Sequence, residues 1–182
     1  MKNTKKVQGL IKKLNMVYKK GYLPAREKMK YSKLHTSVVN CFAHACFNLT
    51  EKDLKELNPY MPELHDFFCN FDNCGVGNYI KKATEKIEQI GLKFEKSSLD
   101  EKIKKNQWKV AYYVMHDEFL GNDLHFMIQC KDGKWTSKVG LMSKIEVYEK
   151  LPKTYHEDYN LVGIYKITNP YYKLEDEESM EM

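Results

Sequence analysis

Leu124-His125-Phe126-Met127-Ile128-Gln129-Cys130, then Lys131-Asp132-Gly133, then Lys134-Trp135-Thr136-Ser137-Lys138, reads as a strand, a turn and a returning strand. The Asp-Gly pair marks the hairpin. If residues 131–133 form the loop, Cys130 pairs with Lys134, Met127 with Ser137 and His125 with Val139. Side chains two apart on a strand share a face. His125, Met127, Ser137 and Val139 then lie on one side of the hairpin, and Ser137 is placed to orient His125.

Outward from this hairpin the C-terminal half continues in the same style. Residues 108–115 and 159–167 are β-branched and aromatic runs, and residues 92–95 begin a further strand. The N-terminal half is helical. Val7, Leu10, Ile11, Leu14 and Val17 recur at helical spacing over residues 4–20, with Gly21 and Pro24 as the stop. Asn40 is placed to cap a buried helix running from about Cys41 to about Asn48. Thr50-Glu51-Lys52-Asp53 signals a second capped helix, ending near Leu57. Residues 58–78, punctuated by Pro59, Pro62, Gly75 and Gly77, read as a loop-rich stretch. Ile80, Ala83, Ile87 and Ile90 form one face of an amphipathic helix over 79–91, closed by Gly91. Helices first and an antiparallel meander afterwards make an α+β domain. The expected organisation is a basic N-terminal helix and irregular lead-in over 1–36, a core over 37–170, and a solvated acidic tail over 171–182 carrying Glu175, Asp176, Glu177, Glu178 and Glu181.

Composition narrows the class. Hydrophobic residues make up 42% of the 182, enough for a core, which argues against global disorder. The formal charge of +5 arises from 30 basic and 25 acidic residues, a balance too mild to indicate a nucleic-acid protein. The lysine-rich start reads as a solvated helix face. No apolar run of signal or membrane-span length is visible, so the expectation is a chain that stays in the cytosol and off the membrane. The five cysteines are Cys41, Cys46, Cys69, Cys74 and Cys130. An odd number in a reducing compartment argues against a disulfide framework, which leaves core, ligand or nucleophile as their roles.

A thiol nucleophile needs a lowered pKa, a base and oxyanion donors. Cys41 stands one residue after the cap, where the helix dipole favours a thiolate. Its own N–H, with the Asn40 side chain, is placed to hold an oxyanion. His125 is the candidate base, because a helix-start cysteine preceding a strand histidine is the papain-type order. Ser137, or a carboxylate such as Glu146, would orient His125.

The string Asn40-Cys41-Phe42-Ala43-His44-Ala45, then Asp123-Leu124-His125-Phe126-Met127-Ile128-Gln129, then Asp132-Gly133-Lys134-Trp135-Thr136-Ser137-Lys138-Val139-Gly140, resembles a group of mostly uncharacterised bacterial and viral proteins. These are similar to papain-like cysteine peptidases, especially the small cell-wall amidopeptidase branch. Tyr159–Gly163 resembles that group's last strand, and Ile80–Ala83 through Gly91-Leu92 its middle helix. The resemblance spans roughly residues 38–168 as scattered motifs. It implies a papain-like fold with Cys41 as nucleophile and His125 as base. The chain departs from the group at Phe42, where tyrosine is usual, at Val139, where proline is usual, and at Ser137, where a histidine is usual and serves as the third catalytic member.

The resulting expectation is a cysteine hydrolase acting on an amide, peptide or thioester bond, without metal or cofactor. The alternative is a catalytically inactive binding protein on the same fold, such as a phage or viral factor that grips a host protein or a nucleotide. A zinc site built from Cys41, His44, Cys46, Cys69 and Cys74 is disfavoured, because Cys41 and Cys46 do not share a helix face and the spacing is at the edge of what zinc allows. His44 is expected beside the site or at the surface. His35-Thr36-Ser37 is half of a two-histidine phosphoesterase pattern whose second half is missing. No phosphate loop is present.

Overall fold

The computed structural model describes residues 4–24, 31–71, 76–117, 121–142 and 144–173. The acidic residues 174–182 and Cys74, both weighed above, lie outside them. The helices are α1 (Thr4–Lys19), α2 (Lys33–Thr36), α3 (Glu51–Glu56), α4 (Met61–Cys69) and α5 (Tyr79–Gln89), with a π-helical turn at Ala43–Phe47. The strands are β1 (Lys93–Ser97), β2 (Gln107–Asp117), β3 (Gly121–Gln129), β4 (Trp135–Lys138), β5 (Ile145–Tyr148), β6 (Thr154–Tyr155) and β7 (Tyr159–Thr168). Among the described residues they form one antiparallel sheet in the order β1-β7-β2-β3-β4-β5, with β6 on β7. The chain is therefore α+β, with its helices early and its sheet late.

The β3–β4 hairpin takes the three-residue form. Gly133 N–H donates to Cys130 O at 3.1 Å and Cys130 N–H to Lys134 O at 2.7 Å, while Gly133 sits at φ +87°, a left-handed position that glycine enters without a Cβ clash. Met127 faces Ser137 in the resulting register. The ladder stops there, so the expected pairing of His125 with Val139 does not form. A turn closed by Met142 N–H on Val139 O (2.9 Å) takes the chain away from β3. The buried Lys138 ammonium secures that turn by donating to Gly140 O (3.0 Å) and to Met142 O.

Strand alternation divides the interior. Leu124, Phe126 and Ile128 of β3 face the helices and join one large core with Leu10, Leu14 and Tyr18 of α1. Met127 faces the other way, into a smaller cluster with Ala111, Tyr113, Trp135 and Tyr155. Phe42 is the hub of the helical side. Its ring lies 5.3 Å from Phe47, 5.0 Å from Phe71 and 5.4 Å from Phe126, centroid to centroid. The Lys86 ammonium, donating to Phe67 O, stands 4.6 Å from the Phe71 ring.

Residues 58–78 are more helical than their prolines suggest. Pro62 sits in the first turn of α4, where its missing N–H has no helical partner to lose. Thr50 and Asp53 make the reciprocal capping box of α3. The short strands β5 and β6, of four and two residues, carry too little periodicity to be read from the sequence.

Phe42→Ala should lower the unfolding free energy by about 3–5 kcal/mol, read from the urea midpoint. A loss below about 1 kcal/mol would remove this ring from its central role.

Candidate functional site

Asn40 opens the helix on which Cys41 stands. Its Oδ1 accepts from Ala43 N–H at 2.9 Å, the N-cap bond expected from the sequence. Its Nδ2 donates to Phe68 O at 3.0 Å, so one of its two amide protons is engaged away from any oxyanion. Cys41 and Phe42 are helical, and Ala43–Phe47 continue as a π turn that ends at Asn48 (φ 49°).

Cys41 meets β3 at the edge that β4 leaves uncovered. Its thiol donates to Leu124 O at 3.9 Å. Burial pushes that thiol up to about 12, against the opposing effect of the Phe126 and Phe42 N–H groups, which face the sulfur and favour a thiolate. The lowering expected from the helix start is thus outweighed: desolvation of a buried charge exceeds what one helix terminus returns.

His125 belongs to the opposite face of β3. Its Nε2 and Ser137 Oγ lie 2.6 Å apart in a shared hydrogen bond, and its ring stacks on Tyr155 at 3.9 Å and 8°. Burial, helped by repulsion from His156, lowers His125 to about 3, so its imidazole is neutral. The structure therefore joins His125 to Ser137, and brings Cys41 and His125 to one cleft without a hydrogen bond between them.

That cleft has a volume of about 580 Å³ and rounds the open end of β3. Asn40, Cys41 and Cys69 line it from the helical side, and His125, Tyr155, His156 and Tyr159 from the other. Asp123, also on its wall, accepts from Tyr159 OH at 2.7 Å. His156 and the tyrosines were not singled out from the sequence; a histidine in a turn between two weak strands carries no local pattern. Glu146 lies opposite Ser137 on β5, but its hydrogen bonds go to His156 Nε2 (3.2 Å), Tyr148 OH (2.8 Å) and Lys144 Nζ (2.6 Å). Against the upward push of burial, these hold its carboxyl down to about 2.

The other histidines considered above serve packing. His44 is fully buried, with Nδ1 3.1 Å from Tyr31 OH and Nε2 3.2 Å from Thr136 Oγ1. It ties the helix to β4 and lies neither at the surface nor on the cleft wall. His35 is buried against Glu51 and Ser32. Among the described residues no three His, Cys, Asp or Glu side chains gather where a metal ion would sit, and no helix is long and apolar enough to cross a membrane.

The chain belongs to the family DUF7689, a domain of unknown function, whose model matches residues 30–165. No curated protein and no solved structure matches it.

Burial lowers His44 to about 3, as it does His125. Both imidazoles stay neutral in the fold and become charged in the unfolded chain below about pH 6.5. Unfolding then takes up protons, so this stability is complete above pH 6.5 and is lost as the pH falls toward 3. Urea unfolding between pH 6 and pH 5 should lose about 1 kcal/mol per pH unit for each of the two, and His44→Gln should remove one such contribution. An unchanged slope would show that His44 is charged in the fold.

Proposed function

We propose that this protein is a thiol hydrolase of papain-like type, acting on an amide, peptide or thioester bond with Cys41 as nucleophile and His125 as its base. The observation that carries the reading is the opening of the Cys41 thiol and the His125 imidazole onto one cleft, with His125 fixed by Ser137 at 2.6 Å and by Tyr155 beneath its ring. The Ser137–His125 bond supports a triad-like order in which a hydroxyl stands where the resembling group has a histidine.

The charge states shape the mechanism. Cys41 stands as a thiol and His125 as a neutral imidazole, so no preformed ion pair is used. With Nε2–H donated to Ser137 Oγ, Nδ1 carries the lone pair and takes the thiol proton as sulfur attacks the carbonyl carbon. The Phe126 and Phe42 N–H groups stabilise the sulfur charge as it develops. The N–H of Cys41, at the first helical position, has no carbonyl partner within its helix and faces the oxyanion role with the second Asn40 amide proton. His125 then protonates the leaving group, and water clears the acyl-enzyme.

A binding protein on the same scaffold is the second reading. The raised thiol and the absence of a Cys41–His125 hydrogen bond favour it.

A p-nitrophenyl ester separates the two. Wild type should release a burst of nitrophenol with the acyl group on Cys41, found by mass spectrometry. Cys41→Ala should abolish the burst, and His125→Ala should slow it by about 100-fold. Equal rates in wild type and Cys41→Ala would leave the binding reading.

A further inference from the structure

His156 is a histidine of the cleft that the mechanism above leaves unused. It lines the same wall as His125, yet its side chain is 49% exposed, whereas His125 is buried. Its Nε2 lies 3.2 Å from Glu146 Oε2. Glu146 is ionised and accepts only, so the Nε2 must carry the hydrogen. The tautomer is thereby fixed: the neutral ring keeps its lone pair on Nδ1, and no described residue hydrogen-bonds that nitrogen. A carboxylate holding an imidazole in one tautomer, on a half-exposed side chain that lines a cleft, is an arrangement suited to a general base.

Two further observations set His156 apart. The Tyr155 ring centroid lies 3.9 Å from that of His125, stacked at 8°, and 4.1 Å from that of His156, tilted by 30°, so one tyrosine ring packs against both imidazoles. Its backbone is left-handed at φ 47°, followed by Glu157 at φ 65°. Left-handed backbone is uncommon for residues other than glycine, asparagine and aspartate, and the three-residue loop 156–158 between Tyr155 and Tyr159 takes it twice in succession. Backbone of this kind gathers at functional sites.

We propose that His156, oriented by Glu146, is a second acid–base residue of the cleft and activates the water that hydrolyses the acyl-enzyme. This rests on the Cys41 reading above. Nδ1 takes a proton from the water as its oxygen bonds to the thioester carbonyl carbon. When the tetrahedral centre collapses, the C–S bond breaks and sulfur leaves with the electron pair. His156 then returns the proton to Cys41, and the free acid departs. Labour is thereby divided: His125, buried and tied to a hydroxyl, serves the thiol, and His156, open and tied to a carboxylate, serves the water.

The test separates acylation from deacylation with p-nitrophenyl acetate. His156→Asn is the informative variant, because asparagine accepts the left-handed backbone and keeps the turn. The burst should persist while steady turnover falls by about 100-fold, and added imidazole should restore part of it. Glu146→Gln, which keeps the side-chain shape, should lower turnover in the same direction. A normal burst with undiminished turnover in His156→Asn overturns the assignment. A fall that imidazole does not relieve, with Glu146→Gln at the wild-type rate, also overturns it and marks His156 as structural. No burst in wild type would instead remove the thiol-hydrolase reading itself.

Discussion

The His125–Ser137 hydrogen bond depends on the register of one hairpin, and that register depends on a loop of three residues closed by Gly133. A slip of one residue turns every side chain of β4 to the other face. Ser137 would then point at the helices, and Thr136, which meets His44, would point away from them. The left-handed Gly133 is what lets the loop close at that length. Where the ladder ends after Met127–Ser137, β3 keeps an unpaired edge, and the helix carrying Cys41 docks against it. The end of one β-pairing is thus the beginning of the cleft.

Strand alternation explains the division of roles across that edge. Cys41 belongs to the helical core, with Phe42 as hub, and His125 to the smaller cluster on the opposite face. The cleft rounds the strand rather than lying on one face of the sheet. Burial from both sides leaves the thiol and the imidazole uncharged, whereas Glu146 and His156, nearer solvent, form a hydrogen-bonded dyad. Two environments therefore hold two imidazoles against one tyrosine ring, and the chemistry proposed for each follows from its partner.

Much of this was legible in the sequence. The Asp-Gly turn yields the Met127–Ser137 pairing once the loop is taken as three residues, and with it the His125–Ser137 contact. Asn40 and Thr50 announce their caps because the side-chain oxygen and the following residues suffice to define them. α4 was hidden by Pro59 and Pro62, since a proline at a helix start and a proline in a loop look alike without tertiary context. The thiol's raised pKa was not legible either: a helix start is visible locally, but desolvation depends on what packs over the sulfur, including Leu124 from far along the chain. His156 and its partner Glu146 meet only because β4 and β5 pair and β6 folds back on β7, contacts that no local pattern encodes.

The most direct measurement is the rate at which iodoacetamide modifies each cysteine at neutral pH, site by site by mass spectrometry, in wild type and in His125→Ala. Cys41 should be modified ahead of Cys46 and Cys130, which do not line the cleft, and losing His125 should slow Cys41 by at least about tenfold, because His125 is the base assigned to the thiol proton. Modification of Cys41 at the same rate in both proteins would contradict the pairing of this thiol with His125, and with it the hydrolase assignment.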